Sequence, residues 1–377
     1  MPPAEDQRFA SYVGTRRFGS LDGLRCLCIL PVLWHHWPAW RELVDGGPII
    51  FSRGHVGVDF FFVLSGFLIT TLLLREEART GSISLVGFYW RRALRILPIY
   101  FLVVTVAAIY SIGIKGRTED LEILPYYYLF LSNFIDGREI TFLGPTWSLA
   151  VEEQYYLIWP AILIFLPRRW LGPVLCALIA VNVLAVFGFW GLFGITGFAI
   201  GPLYFGLKGA TYAPILIGSL LALVLSNPRG FSTLWPATGF RLAPLLWLGL
   251  ILVVLGGTDG KLEGLPNLFL HSFMALMLCS LVVREDNALA PVLRLRPIAR
   301  VGEVSYGIYL YHLFALAVVG AVFEALGLRL GASALVLYAA LSFLIAEISF
   351  RTFERFFREM RPLYRSKPAA RSGPPAE

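Results

Sequence analysis

Long apolar stretches recur along this chain, and they constrain its fold more than any other feature of the sequence. Each has roughly 17 to 25 residues, the length that an α-helix needs to cross a hydrocarbon layer about 30 Å thick. Charged residues make up only 15% of the sequence and hydrophobic residues 57%, which excludes an ordinary water-soluble domain. Because helices satisfy their own backbone hydrogen bonds in lipid, the pattern predicts an all-α, polytopic membrane bundle. The ten predicted spans are Leu21–Pro38, Val56–Leu74, Ile96–Ile114, Trp147–Leu166, Leu171–Phe193, Leu203–Leu225, Phe240–Gly256, Leu265–Val283, Val301–Phe323 and Leu330–Phe350.

One further apolar segment, Leu121 to Phe134, decides the topology. It contains Glu122 and Pro125 and is short for a span, so a re-entrant or interfacial segment is favoured over an eleventh crossing. With this segment uncounted, most of the 32 Lys and Arg residues fall on the side of the N-terminus. Since basic residues concentrate in cytoplasmic loops, we predict an inner-membrane protein with both termini in the cytoplasm.

The chain is predicted to contain one folded domain with short flanking segments. Residues 1–20 form a cytoplasmic N-terminal segment, residues 21–350 the transmembrane domain, and residues 351–377 a basic cytoplasmic tail that is largely disordered at its end. The net charge of +7 comes from short clusters at the ends of apolar runs, which indicates topology rather than nucleic-acid binding. The four cysteines lie in apolar segments without the spacing of metal ligands, so neither a metal nor a bound cofactor is predicted.

The first predicted helix carries ionisable residues where the membrane makes them costly, which indicates function. Arg25 and His36 are eleven positions apart, so they lie within about 20° of the same helix face and about 16 Å apart along the axis. His35 points about 80° away and is expected to support its neighbour. His36 is the candidate general base, because an imidazole titrates near neutral pH. The alternative is an interfacial histidine hydrogen-bonded to another helix.

Two further blocks carry groups suited to binding or proton transfer. Arg92 and Arg95 share a helix face at a predicted cytoplasmic boundary, where they could bind phosphates or only orient the third span. In the fourth span, Ser148, Glu152 and either Tyr155 or Tyr156 share one stripe. Glu152 is expected to meet His36 and to orient its imidazole, with an exposed helix-start carboxylate as the alternative.

Other polar positions inside the predicted spans are more ambiguous. Asp59 needs a counter-charge, which Arg25 or His36 is expected to supply, and its role could be purely structural. His312 could be a second proton-relay group or a hydrogen-bonded core histidine. Lys208 could contact an acceptor or extend to the membrane surface. Gly57 and Gly66 are expected to permit close helix packing.

Five sequence blocks, in order from Leu21 to Phe350, resemble the acyltransferase 3 family. The blocks are Leu-Asp-Gly-Leu-Arg at 21–25 with His36, Gly-Val-Asp-Phe-Phe-Phe-Val-Leu-Ser-Gly-Phe at 57–67, Arg-Ala-Leu-Arg at 92–95 with Pro98, Trp-Ser-Leu-Ala-Val-Glu-Glu-Gln at 147–154, and Ser-Tyr-Gly-Ile-Tyr-Leu-Tyr-His at 305–312. Any single block would be a weak match, but the ordered set is specific. Members of this family acylate sugars, polysaccharides and macrolides.

The resemblance implies a membrane O-acyltransferase, most simply an O-acetyltransferase, that uses cytoplasmic acyl-CoA and a saccharide or polysaccharide hydroxyl. It implies that Arg25, Arg92 and Arg95 hold the donor and that His36 and Glu152 carry the chemistry. His35, Asp59, Trp147, Ser148, Tyr155 and His312 are the expected substrate-binding or supporting residues. The rival hypothesis is a transporter or flippase of a lipid-linked sugar, since buried charges also line transport paths. A non-catalytic component of a glycan-assembly complex is a third. The acceptor, the acyl chain length and the oligomeric state stay open.

Overall fold

The computed structural model describes residues 4–38, 49–195, 197–206, 212–258 and 262–360. The predicted disorder of the last residues falls on 361–377 and Lys208 falls in 207–211, so both predictions lie outside the described residues. The described chain is predominantly helical. Its α-helices are α1 Ala4–Gly14, α2 Leu21–His36, α3 Val56–Thr80, α4 Leu85–Ala108, α5 Leu124–Tyr128, α6 Thr146–Phe165, α7 Arg168–Val186, α8 Ala213–Leu225, α9 Pro228–Thr238, α10 Ala243–Gly257, α11 Leu265–Val283, α12 Ala290–Leu293, α13 Arg296–Glu303, α14 Ser305–Ala325, α15 Ala332–Arg351 and α16 Phe353–Glu359.

The helix bounds follow from local sequence signals. Proline stands in the first turn of several helices, including α8, α10 and α11, where its missing N–H costs no hydrogen bond. The Ser84 side chain caps α4 by accepting a hydrogen bond from the Gly87 amide at 3.2 Å. The α3 helix ends at Gly81, whose φ of 78° is a left-handed conformation that glycine adopts without strain.

Six described helical segments are long and apolar enough to cross a membrane. A seventh is obtained if α8 and α9, which meet at a bend of 113°, form one broken span. The chain is therefore a multi-pass membrane protein. The six segments are Val56–Thr80, Leu85–Ile114, Arg168–Val186, Leu265–Val283, Ser305–Ala325 and Ala332–Glu359.

As expected, Leu121–Phe134 does not form a further continuous span. It breaks into a short 3₁₀ turn at Thr118–Leu121, the five-residue α5 and a second 3₁₀ turn at Ser132–Phe134. The predicted span Leu203–Leu225 is wrong at its start. Strand β2 at Leu203–Gly206 pairs antiparallel with β1 at Gly197–Ile200, and helix α8 covers only the later part. Apolar content alone does not distinguish a strand from a helix.

Glycines bring the functional helices close together, as expected for Gly57 and Gly66. A Cβ on Gly66 of α3 would overlap the carbonyl oxygen of Ile215 in α8, and one on Gly218 of α8 would overlap that of Val63. Gly57 faces the backbone of α2 in the same way. Since small residues at helix crossings allow backbones to touch in lipid, α3 is held between α2 and α8.

We predict that Gly66→Ala lowers the free energy of unfolding by about 1–3 kcal/mol, because the added methyl group has no room beside α8. Gly320→Ala is the matched control, since Gly320 lies inside α14 with open space around its Cα and should gain helix propensity. Thermal unfolding of both variants in detergent measures the effect. Equal melting temperatures would contradict the close contact.

Candidate active site

Five helices surround a cavity of about 270 Å³ inside the bundle. We call it the arginine cavity, because Arg25 of α2 and Arg92 and Arg95 of α4 all line it. Its lining on α3 extends from Val58 to Leu72, which corresponds to about 21 Å of helix. Its other polar lining residues are Ser65, Ser148, Glu152, Glu153, Tyr156, Ser305, Tyr306 and Tyr309. Positions distant in sequence therefore share one cavity.

Arg25 and Arg92 each contact a neighbouring side chain. The Arg25 guanidinium bonds the Asp22 carboxylate at 2.7 Å, one turn earlier on α2. The Arg92 guanidinium lies 3.5 Å above the ring of Tyr156, a cation–π contact that supports a partly desolvated charge. The adjacent Arg91 instead turns away from the cavity and pairs with Glu76 at 3.2 Å. Neighbouring arginines on one helix thus have different environments.

The opposite wall of the arginine cavity comes from α6 and α14. Glu152 accepts a 2.6 Å hydrogen bond from the hydroxyl of Ser65 on α3. Arg92 and Arg95 both interact electrostatically with this carboxylate. Ser148 lies 2.7 Å from the hydroxyl of Tyr309, which donates to the Pro145 carbonyl at 2.8 Å. This wall therefore presents a carboxylate and hydroxyl groups to the arginines.

Two histidines form a ring pair next to this cavity. The imidazoles of His36 and His312 lie 4.7 Å apart between ring centres, at an angle of 66°. Nδ1 of His36 is 3.0 Å from the Val32 carbonyl oxygen, and Nδ1 of His312 is 2.7 Å from that of Tyr309. A carbonyl oxygen only accepts, so each Nδ1 carries the proton in the neutral ring and each Nε2 is left with its lone pair. His312 itself is 1% exposed.

A second cavity of about 520 Å³ lies at the end of the bundle where α6 begins and α7 ends. We call it the tryptophan cavity, because Trp147 lines it while the next residue, Ser148, lines the arginine cavity. The Glu139 carboxylate in its wall interacts electrostatically with His36. The histidine pair thus has one neighbour, Tyr309, in the arginine cavity and another, Glu139, in the tryptophan cavity.

Several expected contacts do not form as the sequence predicted. Within the described residues, no hydrogen bond or ion pair joins Glu152 to His36. Glu152 lines the arginine cavity and bonds Ser65, whereas His36 lines neither cavity and bonds the backbone of Val32. The expectation that Arg25 or His36 pairs with Asp59 is wrong. His271 of α11 is the partner, at 3.5 Å, because Asp59 faces away from the arginine cavity.

Only one of the two adjacent tyrosines of α6, Tyr155 and Tyr156, lines the arginine cavity. Tyr156 lines the arginine cavity, whereas Tyr155 lies between helices, 2.7 Å from the hydroxyl of Ser219 and 3.3 Å from that of Thr70. His35 lies outside both cavities, where its ring contacts His36 and His55 at 5.3 Å.

Ser65 and Tyr309 both line the arginine cavity, although the sequence pattern predicted no individual role for either. Ser65 is the first polar side chain after Asp59 in an apolar run, and Tyr309 follows Tyr306 at helical spacing. Both signals were visible but are common among buried residues that have no function.

Residues 18–350 match the acyltransferase 3 family, whose description is "Acyltransferase domain". The match covers most of the chain, so the protein belongs to this family. It includes every element that contributes to the arginine cavity. No solved structure resembles the chain significantly.

Among curated proteins, the chain is similar to the O-acetyltransferase OatA of Staphylococcus aureus strain NCTC 8325 / PS 47, with 25% identity over 83% of this chain and 53% of the relative. It is 29% identical to the peptidoglycan O-acetyltransferase OatA of Listeria monocytogenes serovar 1/2a, over 78% of this chain and 48% of the relative. A putative O-acetyltransferase of Staphylococcus aureus strain COL is 27% identical over 81% and 51%. The chain spans about half the length of these relatives.

We predict that Tyr155 stabilises the fold through its buried hydroxyl contact with Ser219. Tyr155→Phe and Ser219→Ala should each lower the free energy of unfolding, and the double variant should lose less than the sum. A double-mutant cycle in detergent should give a coupling energy of about 0.6–1.7 kcal/mol, as for other hydrogen bonds inside membrane proteins. A coupling of zero would show that the contact adds nothing to stability.

Proposed function

We propose that this protein is an inner-membrane O-acetyltransferase that transfers an acetyl group from cytoplasmic acetyl-CoA to a hydroxyl group of a cell-envelope saccharide. The observation that carries the proposal is the convergence of Arg25, Arg92 and Arg95 with Glu152 in one cavity of a chain that belongs to the acyltransferase 3 family. The acetyl group and the saccharide are inferred from the names of the relatives.

The proposed topology has ten spans, formed by α2, α3, α4, α6, α7, α8, α10, α11, α14 and α15, with both termini in the cytoplasm. It is supported by basic residues at one end of the bundle. Arg16, Arg17 and Arg75 line a small cavity of about 150 Å³ that shares Arg25 with the arginine cavity. Since arginines concentrate on the cytoplasmic side, this is the end at which acyl-CoA would enter.

The donor is proposed to bind with its phosphates toward the three arginines. A guanidinium offers several donors in a fixed planar arrangement, which suits phosphate oxygens better than a single ammonium does. Glu152 is assigned a positioning role, because its carboxylate faces Arg92 and Arg95 and bonds Ser65 rather than His36. This replaces the role expected from the sequence, in which Glu152 orients the imidazole.

His36 is the proposed general base. The Val32 carbonyl fixes its tautomer and leaves Nε2 able to accept the proton of the acceptor hydroxyl. The oxygen then forms a bond to the acyl carbon, the carbon–sulfur bond of the thioester breaks, and the proton passes from His36 to the departing thiolate. The products are the acetyl ester and free coenzyme A. His312 is the supporting imidazole, 4.7 Å away between ring centres.

The full chain in sealed proteoliposomes tests this function, with acetyl-CoA on the cytoplasmic side and a saccharide acceptor on the other. We expect acetylated saccharide to form across the membrane, and His36→Ala to reduce the rate at least about 100-fold, the usual contribution of a general base. His55→Ala is the control, because His55 is an exposed histidine at the start of α3. Mass spectrometry of the saccharide measures the product.

Two results would reject the proposal. Product that forms only when donor and acceptor share one side would exclude transfer across the membrane. Movement of unmodified saccharide without loss of acetyl-CoA would indicate a transporter.

We further predict that Arg92→Ala raises the KM for acetyl-CoA about tenfold or more, because a charge-assisted hydrogen bond to phosphate is worth about 1.5–3 kcal/mol. Arg91→Ala removes the same charge at the adjacent position, where the side chain pairs with Glu76 outside the cavity, and should change KM less than about twofold. Steady-state kinetics in detergent compare the two variants. Equal effects would indicate that only the net charge of α4 matters.

A further inference from the structure

We propose that the tryptophan cavity is the binding site for the acceptor and that it selects a neutral saccharide over an anionic one. This inference rests on the proposed function, since it identifies the acceptor side of the same reaction. It is carried by three observations on the cavity wall: an aromatic surface, amide groups fixed by hydrogen bonds, and two carboxylates without an ion-pair partner in the described part of the chain.

The aromatic surface is formed by Trp147, Tyr204 and Tyr212. Trp147 is 39% exposed although it belongs to a helix inside the bundle, and its ring meets the edge of Phe62 at 6.1 Å. Phe62 lines the arginine cavity, so the Trp147 ring lies against the wall between the two cavities. Aromatic faces of this kind offer apolar area to the C–H faces of sugar rings while the rim stays polar.

The amide groups are held in place by a short network behind the aromatic surface. Gln154 donates to the Asn133 side-chain oxygen at 2.8 Å and lies 2.5 Å from the hydroxyl of Tyr212. The Asn182 side-chain oxygen accepts a bond from the Tyr212 amide at 3.3 Å. Since these bonds fix the orientation of Asn133 and Asn182, the cavity presents preorganised partners for hydroxyl groups.

The charge of the cavity separates neutral from anionic ligands. The carboxylates of Asp136 and Glu139 form no hydrogen bond or ion pair with any described residue, so they remain available to accept from sugar hydroxyls. Arg138 is the basic residue in the described wall, and it is already bonded to Glu122 at 2.7 Å and to the Glu119 carbonyl at 2.6 Å. An anionic polymer would meet two negative charges that form no ion pair with a described basic residue, which disfavours it.

The cavity also lies next to the proposed base. Glu139 in its wall interacts electrostatically with His36, and Trp147 precedes the arginine-cavity residue Ser148 directly. A saccharide held against Trp147 would thus lie one residue along α6 from the cavity proposed to hold the donor. The two cavities then hold the two substrates of one reaction.

Binding of two tetrasaccharides to the full chain in nanodiscs, without acyl-CoA, tests the inference by calorimetry. The neutral probe is tetra-N-acetylchitotetraose and the anionic probe is tetragalacturonate. We expect the neutral probe to bind about tenfold more tightly, and Trp147→Ala to weaken it about tenfold through loss of the aromatic face. Trp170→Ala, an exposed tryptophan outside both cavities, should leave its affinity unchanged.

A second variant tests the charge argument without disturbing a packed ring. Asp136→Asn combined with Glu139→Gln changes two exposed side chains and should reduce the difference in affinity between the two probes to less than about threefold.

Equal affinity for both probes in the unaltered protein, or equal effects of Trp147→Ala and Trp170→Ala, would overturn the inference. Tight binding of the neutral probe without any acetyl transfer would support the acceptor site but reject the proposed function. Acetyl transfer together with preferred binding of the anionic probe would support the proposed function but reject the inference about this cavity.

Discussion

A charge placed among apolar helices must have a counter-charge, a polarisable ring or water beside it, and this requirement organises the structure. Arg25 is paired within its own helix by Asp22, while Arg92 is supported by the ring of Tyr156 and by the field of Glu152. Because the partners of Arg92 lie on α6, satisfying its charge brings α4 and α6 together at the cavity that Arg25 of α2 also lines.

Close backbone contact makes that convergence geometrically possible. The glycines of α3 let α2 and α8 approach until their carbonyl oxygens fill the space of a side chain, so α3 lies at the centre of the bundle. Ser65, next to Gly66 on this helix, can then reach Glu152 of α6. The packing residues and the polar residues of the Gly-Val-Asp-Phe-Phe-Phe-Val-Leu-Ser-Gly-Phe block are thus parts of one arrangement.

Helical periodicity predicted which residues share a helix face, and this was enough to predict part of the lining of the arginine cavity. It was enough to group Arg92 with Arg95 and Ser148 with Glu152, and both pairs line the arginine cavity. Periodicity does not fix how a helix is rotated toward its neighbours, so it could not distinguish Tyr155 from Tyr156 or give Asp59 its partner His271. The β-hairpin could not be predicted for a different reason, because its apolar residues are equally compatible with a membrane-spanning helix.

The histidine pair has a mechanical property that follows from its hydrogen bonds. Each imidazole bonds a carbonyl oxygen of its own helix, His36 in α2 and His312 in α14, and within the described residues neither ring bonds the other helix. The distance between the rings therefore depends on the axial position of α2 relative to α14. A shift of one helix by the rise of a single residue, about 1.5 Å, would lengthen or shorten that distance. A displacement of α2 relative to α14 would therefore change the surroundings of Nε2 of His36, the nitrogen proposed to accept the proton.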